Sequence, residues 1–244
     1  MTAPVFLADA SALLGDPVRL GGEEGRHAAV VRRIRVGETV RLTDGAGHVA
    51  DCSVVAVDAQ GISCAVRHRA RVPMPTPRFV AVQALAKGSR GELAVEMLTE
   101  IGVDVIVPWA AGRCVVHWRP ERADRGLARW RSAARESSKQ ARRVWLPDVR
   151  ELATTEQVCA LLAAAETAVV FHESGRRSVD DVPVSRVGDV VLVIGPEGGF
   201  TDEELASFES AGAVSMRLGD TVLRTSTAGV AGAAVLLSRT ARWR

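Results

Sequence analysis

Several features that mark other classes of protein are missing from this 244-residue chain. No apolar run approaches the roughly 20 residues that a membrane-spanning helix requires. Residues 1–20 lack both a basic leader and a long apolar region, so we expect neither a membrane span nor a signal peptide. The four cysteines are scattered, without the C-x-x-C spacing of a zinc or redox site. We therefore expect a cytoplasmic protein with reduced cysteines and no bound metal.

Lysine is almost absent from a chain that carries 31 basic and 29 acidic residues. Only Lys87 and Lys139 are lysines, so nearly every cation is an arginine. Arginine suits phosphate binding and base stacking, although a GC-rich genome would favour it too, and a net charge of +2 does not by itself indicate a nucleic-acid partner. The arginines gather at Arg32, Arg33 and Arg35, within residues 67–71, and at Arg142 and Arg143.

Residues 1–72 have the pattern of a small β-barrel. Short runs with β character, bounded by turn residues, occupy residues 4–7, 39–43, 50–57 and 62–66. A hairpin-type turn is predicted at residues 44–47, and a short helix over residues 24–33. The prolines of residues 73–77 then indicate a stiff linker.

Residues 78–244 alternate between predicted strands and helices. Strands are expected at residues 79–85, 104–108, 168–171, 190–194 and 214–218, and helices at residues 90–101, 121–142, 155–165 and after Thr201. Leu93, Met97 and Ile101 would form one face of the first helix. This order predicts an α/β domain with a mostly parallel sheet and helices on both faces. Knots are so rare that these patterns alone indicate an unknotted chain.

The most informative stretch is residues 189–228, where two strands each end in an irregular loop. The glycine-rich residues 195–199 follow the first strand, and residues 219–226 follow the second. Ligands of open α/β sheets bind beyond the carboxyl ends of the strands, so we place a small-molecule cofactor there. The first loop is neither a Walker A sequence nor a dinucleotide fingerprint, and the alternative is that its glycines only turn the chain. Thr201 and Glu204 have the pattern of a capping box.

Several sequence blocks resemble one known family. IGPEGGFTDEE and LGDTVLRTSTA resemble the paired C-terminal motifs of the SPOUT-superfamily RNA methyltransferases, and more narrowly those of the bacterial 16S rRNA (uracil-N3)-methyltransferases. RHAAVVRRIRVGE, ALAKGSRGELAVEMLTEIGVDVIVPW and ARESSKQARRVWLP are similar to other parts of that family, in order along nearly the whole chain. One position departs from the pattern, because the family usually has glutamate in LRTETA where this chain has Ser226.

The resemblance implies an architecture and an activity. It implies a PUA-like RNA-binding barrel in residues 1–72 and a SPOUT methyltransferase domain in residues 78–244, with a C-terminal trefoil knot that overrides the expectation of an unknotted chain. It further implies a homodimer that binds S-adenosyl-L-methionine and methylates N3 of one uridine in 16S rRNA of the small ribosomal subunit. The alternatives are a ribosome-binding or assembly module without catalysis, which the Ser226 departure mildly favours, and a methyltransferase that acts on a different RNA.

The matching motif positions also imply which residues bind the cofactor. They lie in the two loops and the helix after them: Gly195, Pro196, Gly198, Gly199, Leu218, Gly219, Val222, Leu223, Thr225 and Ala228. His172 and Glu173, at the end of a predicted strand, either line the same pocket or simply finish the strand.

Methylation of uracil N3 requires a base that removes the N3 proton, or cationic groups that stabilise the developing anion. Glu197 is the carboxylate nearest to the cofactor loop, and Arg90 and Arg224 are candidate anion stabilisers. Each has a structural alternative: Glu197 could accept hydrogen bonds from backbone amides, Arg90 could be solvated in the first turn of a helix, and Arg224 could form an ion pair.

Contacts to RNA are predicted through Arg26, His27, Arg32, Arg33, Arg35, Arg142 and Arg143. Such contacts would be made mainly to phosphates, and the alternative for the arginines is a solvated face. His27 could equally be an ordinary core or surface histidine. His117 and Trp118 could form a stacking platform, an exposed edge or a dimer contact.

Overall fold

The computed structural model describes residues 3–243, apart from the side chains of Pro120, Arg122 and Asp180. The chain divides into two compact units. Met1–Met74 and Ser138–Leu146 form the first unit, and Pro75–Ser137 and Pro147–Arg244 form the second. Residues 138–146 thus belong with the N-terminal part of the chain, whereas the sequence-based division assigned them to the region after the linker.

The first unit is built on a mixed five-stranded sheet. Its strands lie in the order β1 (Val5–Leu7), β3 (Thr39–Thr43), β4 (His48–Asp58), β5 (Gly61–Arg71) and β2 (Val18–Leu20). β1 and β3 are parallel, and the other neighbours are antiparallel. The sequence predicted four of these strands and missed β2, a short strand whose pairing partner β5 lies far along the chain. The predicted turn at residues 44–47 joins β3 to β4.

The helical segment of the first unit is shorter and less regular than predicted. α1 spans Gly22–Arg26, and a π-helical turn at His27–Val31 follows it. Gly25 lowers the helix propensity of α1. Glycine is nevertheless required there, because a Cβ atom would collide with the carbonyl oxygen of Leu20 in β2. Close packing of α1 against the sheet therefore limits the regularity of this helix.

The core of the first unit contains two of the cysteines. Cys52 and Cys64 are buried with Leu42 and Ile62. Burial raises the pKa of the Cys52 thiol to about 11 and that of the Cys64 thiol to about 12, so both stay protonated at neutral pH. All four cysteines of the chain are free, as predicted.

The second segment of this unit, residues 138–146, is held by an ion pair to α1 and by a tryptophan that packs on the β3–β4 turn. Lys139 Nζ lies 2.9 Å from Glu24 Oε1, and the two side chains are only 9% and 12% exposed. Trp145 donates its indole N–H to the Val72 carbonyl oxygen at 3.0 Å. Its ring also packs over Gly47, where φ is +92° and a Cβ atom would lie 2.6 Å from the ring. Glycine is therefore required in this turn.

The second unit is built on a six-stranded sheet in which every pairing is parallel. The strand order is β11 (Val214–Met216), β9 (Thr167–Phe171), β10 (Asp189–Ile194), β6 (Arg78–Ala84), β7 (Val105–Trp109) and β8 (Asp148–Val149). The helices are α2 (Arg90–Glu100), α3 (Pro120–Gln140), α4 (Thr155–Ala163), α5 (Asp202–Ser210) and α6 (Thr225–Ser238). The predicted parallel α/β architecture is confirmed. The two-residue strand β8 was missed.

α2 buries a different face from the predicted one. Ala94 and Leu98 are fully buried, whereas Leu93 is 44% exposed. The predicted face of Leu93, Met97 and Ile101 was therefore wrong for Leu93, whereas Ile101 is partly buried against the core. α2 packs against α6 as well as against β6, and the close approach of α6 selects a face with small residues.

α6 is rich in glycine and alanine, and it packs closely on the sheet. A Cβ atom at Gly232 would collide with the Phe171 ring, and one at Gly229 would lie 3.3 Å from Ile194. These glycines let the helix begin directly beside the ends of β9 and β10. Within the described part of the chain, no helix is long and apolar enough to cross a membrane. The trefoil knot implied by the resemblance stays a prediction.

Candidate cofactor and active site

A cavity of about 490 Å³ lies at the carboxyl ends of β9 and β10. Its walls include residues 194–200, which follow β10, and residues 217–225, which lead from β11 into α6. All ten residues predicted to bind a cofactor line it: Gly195, Pro196, Gly198, Gly199, Leu218, Gly219, Val222, Leu223, Thr225 and Ala228. The three candidate catalytic residues Glu197, Arg90 and Arg224 line it as well. The structure thus brings both predicted sets of residues to one place.

The glycines after β10 each meet a specific steric demand. A Cβ atom at Gly195 would lie 2.8 Å from the Phe200 ring, and one at Gly198 would lie 2.7 Å from the Arg113 carbonyl oxygen. Gly199 has a φ of +71°, in the left-handed region that favours glycine. The glycines therefore serve the turn itself, and they also leave backbone amides and carbonyls uncovered along the cavity.

A buried carboxylate joins this loop to a second one. Thr201 and Glu204 form the predicted capping box at the start of α5. Glu204 Oε2 accepts a hydrogen bond from the Thr201 N–H at 2.8 Å, and Oε1 accepts one from the Gly112 N–H at 2.7 Å. The next residue, Arg113, lines the cavity and was not predicted. The signal that could have found it is its position just after a predicted strand, at the edge where ligands bind.

A short chain of hydrogen bonds ties the start of α6 to the strands beneath the cavity. Thr225 Oγ1 donates to the Gly195 carbonyl oxygen at 2.8 Å and accepts from Gln83 Nε2 at 2.8 Å. Gln83 is fully buried near the end of β6. An amide inside an otherwise apolar strand needs a partner, so the sequence contains a signal for this contact of Gln83.

Glu197 and Arg90 form an ion pair on the cavity wall. Arg90 Nη1 lies 3.6 Å from Glu197 Oε1, and the backbone N–H of Lys87 donates to the same oxygen at 3.2 Å. The structural alternative for Glu197, a backbone acceptor, is thus observed for one carboxylate oxygen. Oε2 has no hydrogen-bond partner among the described residues, so it is free to interact with a ligand. Arg90 is not simply solvated, because it faces both this carboxylate and the cavity.

Arg224 lies at the N-cap of α6. Its backbone carbonyl oxygen accepts hydrogen bonds from the N–H groups of Thr227 and Ala228 at 2.8 Å. Its side chain lines the cavity, and within the described part of the chain no carboxylate pairs with it. The expected structural ion pair is therefore not found there, and the guanidinium is available to a ligand.

The lining suits the chemistry of S-adenosyl-L-methionine, the cofactor that the resemblance implies. Ile194 and Leu223 offer apolar surface for a flat base, and the glycine-rich backbone offers donors and acceptors. Glu173 and Glu197 place negative charge where a sulfonium or an ammonium group would be stabilised. His172 and Glu173 line the cavity, as one of their two predicted alternatives required, and so do more than finish the strand β9. Among the residues with described side chains, no cluster of potential ligands could hold a metal ion.

Ser226, which stands where the resembling family usually has glutamate, is 4% exposed. It does not line the cavity, although its neighbour Thr225 does. The carboxylates that line the cavity are those of Glu173, Glu197 and Asp220. The chemistry of this cavity therefore does not depend on an acid at position 226.

Most of the residues predicted to contact RNA are exposed in the first unit. Arg26, Arg32, Arg33, Arg35 and Arg142 are exposed. The ion pair between Glu24 and Lys139 joins α1, which carries Arg26, to the segment that carries Arg142. Exposed apolar side chains lie among these arginines, with Val30 56%, Val31 66% and Val36 63% exposed.

Two of the residues predicted to contact RNA have structural partners. Arg143 is half-buried, and its Nε donates to the Trp145 carbonyl oxygen at 3.0 Å. His27 is half-buried, with its ring 6.3 Å from the Phe6 ring in an edge-on arrangement. Arg69, from the cluster at residues 67–71, holds the backbone of residues 13–15. The exposed arginines are therefore the better candidates for phosphate contacts.

The chain is similar to known RNA methyltransferases along nearly its whole length. The RNA methyltransferase domain family matches residues 73–237, and the RNA methyltransferase PUA domain family matches residues 20–66. Ribosomal RNA small subunit methyltransferase E of Mycobacterium bovis is 41% identical over 247 aligned residues, which cover 100% of this chain and 94% of that protein. The protein of the same name from Bacillus subtilis is 27% identical over 85% of this chain and 84% of its own length.

Two solved structures are similar along nearly the whole chain. A methyltransferase from Legionella pneumophila, solved with bound cofactor SAM, has a TM-score of 0.86 at 27% identity and covers 98% of this chain and 99% of its own. Ribosomal RNA small subunit methyltransferase E from Neisseria gonorrhoeae, bound to S-adenosyl methionine, has a TM-score of 0.85 at 24% identity and covers 98% of both chains. These likenesses confirm the predicted fold class, a SPOUT-type α/β domain with a separate PUA-like domain.

Proposed function

The chain belongs to the RNA methyltransferase family whose members are named ribosomal RNA small subunit methyltransferase E, and we propose that it methylates N3 of one uridine in 16S rRNA. The observation that carries the proposal is the convergence of two separate loops, with Glu197, Arg90 and Arg224, on one cavity at the carboxyl ends of the parallel strands. The bound SAM of the Legionella relative supports S-adenosyl-L-methionine as the methyl donor.

The protein's own part in the reaction is positioning and proton removal. S-adenosyl-L-methionine supplies an electrophilic methyl group when bound, so the residues must hold uracil in line and make its N3 nucleophilic. The backbones of residues 195–199 and 218–225 would hold the adenine and ribose, with Leu223 and Ala228 against the base. Glycine at position 198 lets the Arg113 backbone pack directly against this loop, which holds the loop in place.

Glu197 would remove the N3 proton. Oε1 is engaged by the Lys87 N–H and by Arg90, which fixes the orientation of the carboxylate and leaves Oε2 to accept the proton. A positioned base of this kind contributes about 10²- to 10⁴-fold to a rate. Arg90, which also lines the cavity, would stabilise the anion that forms on the uracil.

Arg224 and Arg113 would stabilise negative charge on the RNA. As the N3 proton leaves, charge develops on the two uracil carbonyl oxygens, and a guanidinium without a carboxylate partner stabilises it. Arg224 meets that description, because no carboxylate pairs with it among the described residues. Arg113 lines the same cavity and suits a phosphate of the bound nucleotide.

The test is a methylation assay on small ribosomal subunits from a strain that lacks this activity, with mass mapping of the product. We expect one methyl group on N3 of a uridine. Glu197→Gln should lower kcat by about 10²-fold or more, with S-adenosyl-L-methionine affinity little changed in calorimetry. Glu209→Gln, an exposed position near the end of α5, is the matched control. A methyl group on another atom, or full activity of Glu197→Gln, would overturn the assignment.

The exposed arginines of the first unit would bind rRNA phosphates. Replacing Arg32, Arg33 and Arg35 with glutamine should weaken binding to the small subunit and reduce the salt dependence by about one unit of slope for each lost contact. Arg19→Gln is the control, because Asp58 already pairs with Arg19 at 2.8 Å. Unchanged subunit affinity at both low and moderate salt would show that this cluster does not touch RNA.

The active form would be a cytoplasmic homodimer, with each cofactor site near the subunit interface. Apolar side chains on the second unit support this, with Leu93 44%, Val222 78% and Val235 36% exposed. A two-fold pair would bury the same patch on both subunits. Light scattering at micromolar concentration should show twice the chain mass, and a fully active monomer would contradict the proposal.

The alternative of a ribosome-binding module without catalysis rests on Ser226, which does not itself line the cavity. Calorimetry decides between the two, since a module without catalysis has no need to bind S-adenosyl-L-methionine. A methyltransferase acting on a different RNA would be revealed by the mass mapping.

A further inference from the structure

A second cavity, of about 470 Å³, adjoins the first turn of α2 within the second unit. Gly88, Ser89 and Gly91 line it, whereas Arg90, between them, lines the cofactor cavity. The two cavities therefore share the loop between β6 and α2. The second cavity takes no part in the chemistry proposed above. Its size falls within the range of about 300–1,000 Å³ that is typical of small-ligand sites.

The walls of this cavity include two tryptophans that are seated on glycines. The rings of Trp118 and Trp130 lie 5.4 Å apart at 82°. A Cβ atom at Gly126 would lie 2.5 Å from the Trp118 ring, and one at Gly91 would lie 3.0 Å from Trp130 Nε1. The ring edge that carries this nitrogen thus faces Gly91, which also lines the cavity. Substitution of either glycine would displace an indole, so the arrangement depends on both.

Trp130 presents a buried donor without an acceptor. The residue is only 2% exposed, and no group among the described residues accepts a hydrogen bond from its indole N–H. The nitrogen is also not one of the fully enclosed polar atoms that lack a partner, and the residue lines the cavity. Buried tryptophan N–H groups normally have a partner. This one indicates a ligand with an acceptor group.

The other polar groups around the cavity favour an anion. Ser89, at the N-cap of α2, makes no side-chain capping hydrogen bond, so the first-turn amides keep their capacity to donate. Arg129 also lines the cavity. Its Nε lies 2.9 Å from Glu92 Oε1, which neutralises the one carboxylate of the lining. An aromatic wall, an unpaired donor and an electropositive helix end together match a nucleotide.

We propose that this cavity, the flanking-nucleotide pocket, binds a nucleotide of the RNA substrate that neighbours the methylated uridine. The base lies against Trp118, a base carbonyl or ring nitrogen accepts the Trp130 N–H, and the phosphate meets Arg129 and the start of α2. The inference rests on the proposed function, because it assumes an RNA substrate. It adds a base-contacting pocket to a site otherwise described by its cofactor and its catalytic groups.

The first experiment measures binding rather than turnover. A labelled RNA fragment containing the target uridine is titrated into the full-length protein in the presence of S-adenosylhomocysteine, and fluorescence anisotropy gives its affinity. Trp130→Phe, which keeps the ring and removes the N–H, should weaken binding about five-fold, the effect of one hydrogen bond. Trp118→Leu should weaken it about ten-fold, as expected for one lost base stack. Cofactor affinity should be unchanged in both.

Matched variants separate the pocket from general effects. Arg129→Gln should weaken RNA binding, whereas Arg131→Gln should not, although both arginines are exposed on α3 and each pairs with one carboxylate. This pair keeps the proposal testable if Trp130→Phe proves unstable. Equal effects of Arg129→Gln and Arg131→Gln would overturn the phosphate contact.

A second experiment identifies the bound base. RNA fragments with a single abasic position on either side of the target uridine are compared in wild type and in Trp118→Leu. One abasic position should weaken binding to wild type about ten-fold, the loss of one base stack, and should have little further effect in Trp118→Leu. If no abasic position is coupled to Trp118, the pocket does not hold a base and the proposal fails. Wild type that methylates no small subunit would instead refute the proposed function, so the two failures are distinguishable.

Discussion

Replacement of Glu204 tests whether a buried carboxylate shapes the cofactor site. Glu204 is 6% exposed and accepts two backbone hydrogen bonds, from the N–H of Thr201 at 2.8 Å and of Gly112 at 2.7 Å. Glu204→Ala removes both acceptors. It therefore loosens the start of α5 and also the loop that carries Arg113, whose carbonyl oxygen lies against Gly198.

The expected loss of stability follows from these two contacts. The bond to Gly112 is a charge-assisted hydrogen bond worth about 1.5 kcal/mol at the low end of its range, because Gly112 is exposed and its N–H can regain water. Loss of the reciprocal bond from the Thr201 N–H costs about 1 kcal/mol more, while the Thr201 hydroxyl still caps the helix. Alanine has a slightly better helix propensity than glutamate, which returns a few tenths of a kcal/mol. The free energy of unfolding should fall by about 2 kcal/mol, which corresponds to about 4–8 °C in Tm for a unit of this size.

The assay combines calorimetric unfolding with titration of S-adenosyl-L-methionine. Glu204→Ala should lower the Tm of the second unit and weaken cofactor binding several-fold, because Gly198 loses the fixed neighbour against which its loop turns. Glu204→Gln should lose less, since it retains one oxygen acceptor. Glu209→Ala, on the same helix and exposed, should change neither quantity.

Two outcomes would contradict this reasoning. If Glu204→Ala unfolds at the wild-type temperature, the two backbone bonds do not stabilise the fold. If it is destabilised as expected but binds the cofactor with wild-type affinity, the loop of Arg113 does not support the glycine loop, and the role of Glu204 is confined to helix capping.

Three further predictions concern the cofactor loop, the first unit and the hydrogen bonds beneath the cavity. Gly198→Val should abolish S-adenosyl-L-methionine binding in calorimetry, because even a Cβ atom would lie 2.7 Å from a carbonyl oxygen; Gly21→Ala, where a Cβ atom meets nothing within 4 Å, should bind normally. The hydrogen bond from Arg41 holds the pKa of Asp51 below its usual range. This pair therefore stabilises the first unit above the ordinary carboxyl pKa of about 4, and the stabilisation is lost as the pH falls through the lowered pKa. Asp51→Asn should flatten this acid dependence in thermal unfolding, by less than about 1 kcal/mol because both groups are solvated. Gln83→Leu should weaken cofactor binding in calorimetry, since the Thr225 hydroxyl loses its donor; unchanged affinity would show that this chain of hydrogen bonds does not support the site.

The elements that the sequence predicted correctly are those with a clear periodic pattern or a strong boundary signal. The β-branched run of β10 and the capping box of Thr201 and Glu204 are examples, since each depends on residues close together in the chain. β2 and β8 have only three and two residues, and their existence depends on partners elsewhere in the sheet. The inward face of α2 was wrong at Leu93 for a related reason, because α6 packs against it and no local pattern reports that contact.

The same distinction applies to the candidate site. Its glycines and Glu197 were found because they lie in one continuous stretch after β10. Arg113 lies on the loop after β7 and lines the cavity, whereas Gln83, near the end of β6, supports it through Thr225. Both are placed there because parallel strands end at the same edge of the sheet. The register of those strands places them there, and register depends on pairing rather than on local sequence. A glutamine near the end of an apolar strand nevertheless predicts a buried hydrogen bond, such as the one from Gln83 to Thr225.

Under the proposed function, selection of one uridine would come mainly from the second unit. The exposed arginines of the first unit suit phosphates, and phosphate contacts fix the position of a nucleic acid without reading its sequence. The second unit holds Glu197 and Arg224 at the cofactor cavity and the unpaired donor of Trp130 at the adjoining one. Changes to the arginines should therefore weaken the binding of all RNA fragments nearly equally. Changes to Trp118 or Trp130 should instead alter the ratio of affinities between matched and mismatched fragments, because base contacts carry the discrimination.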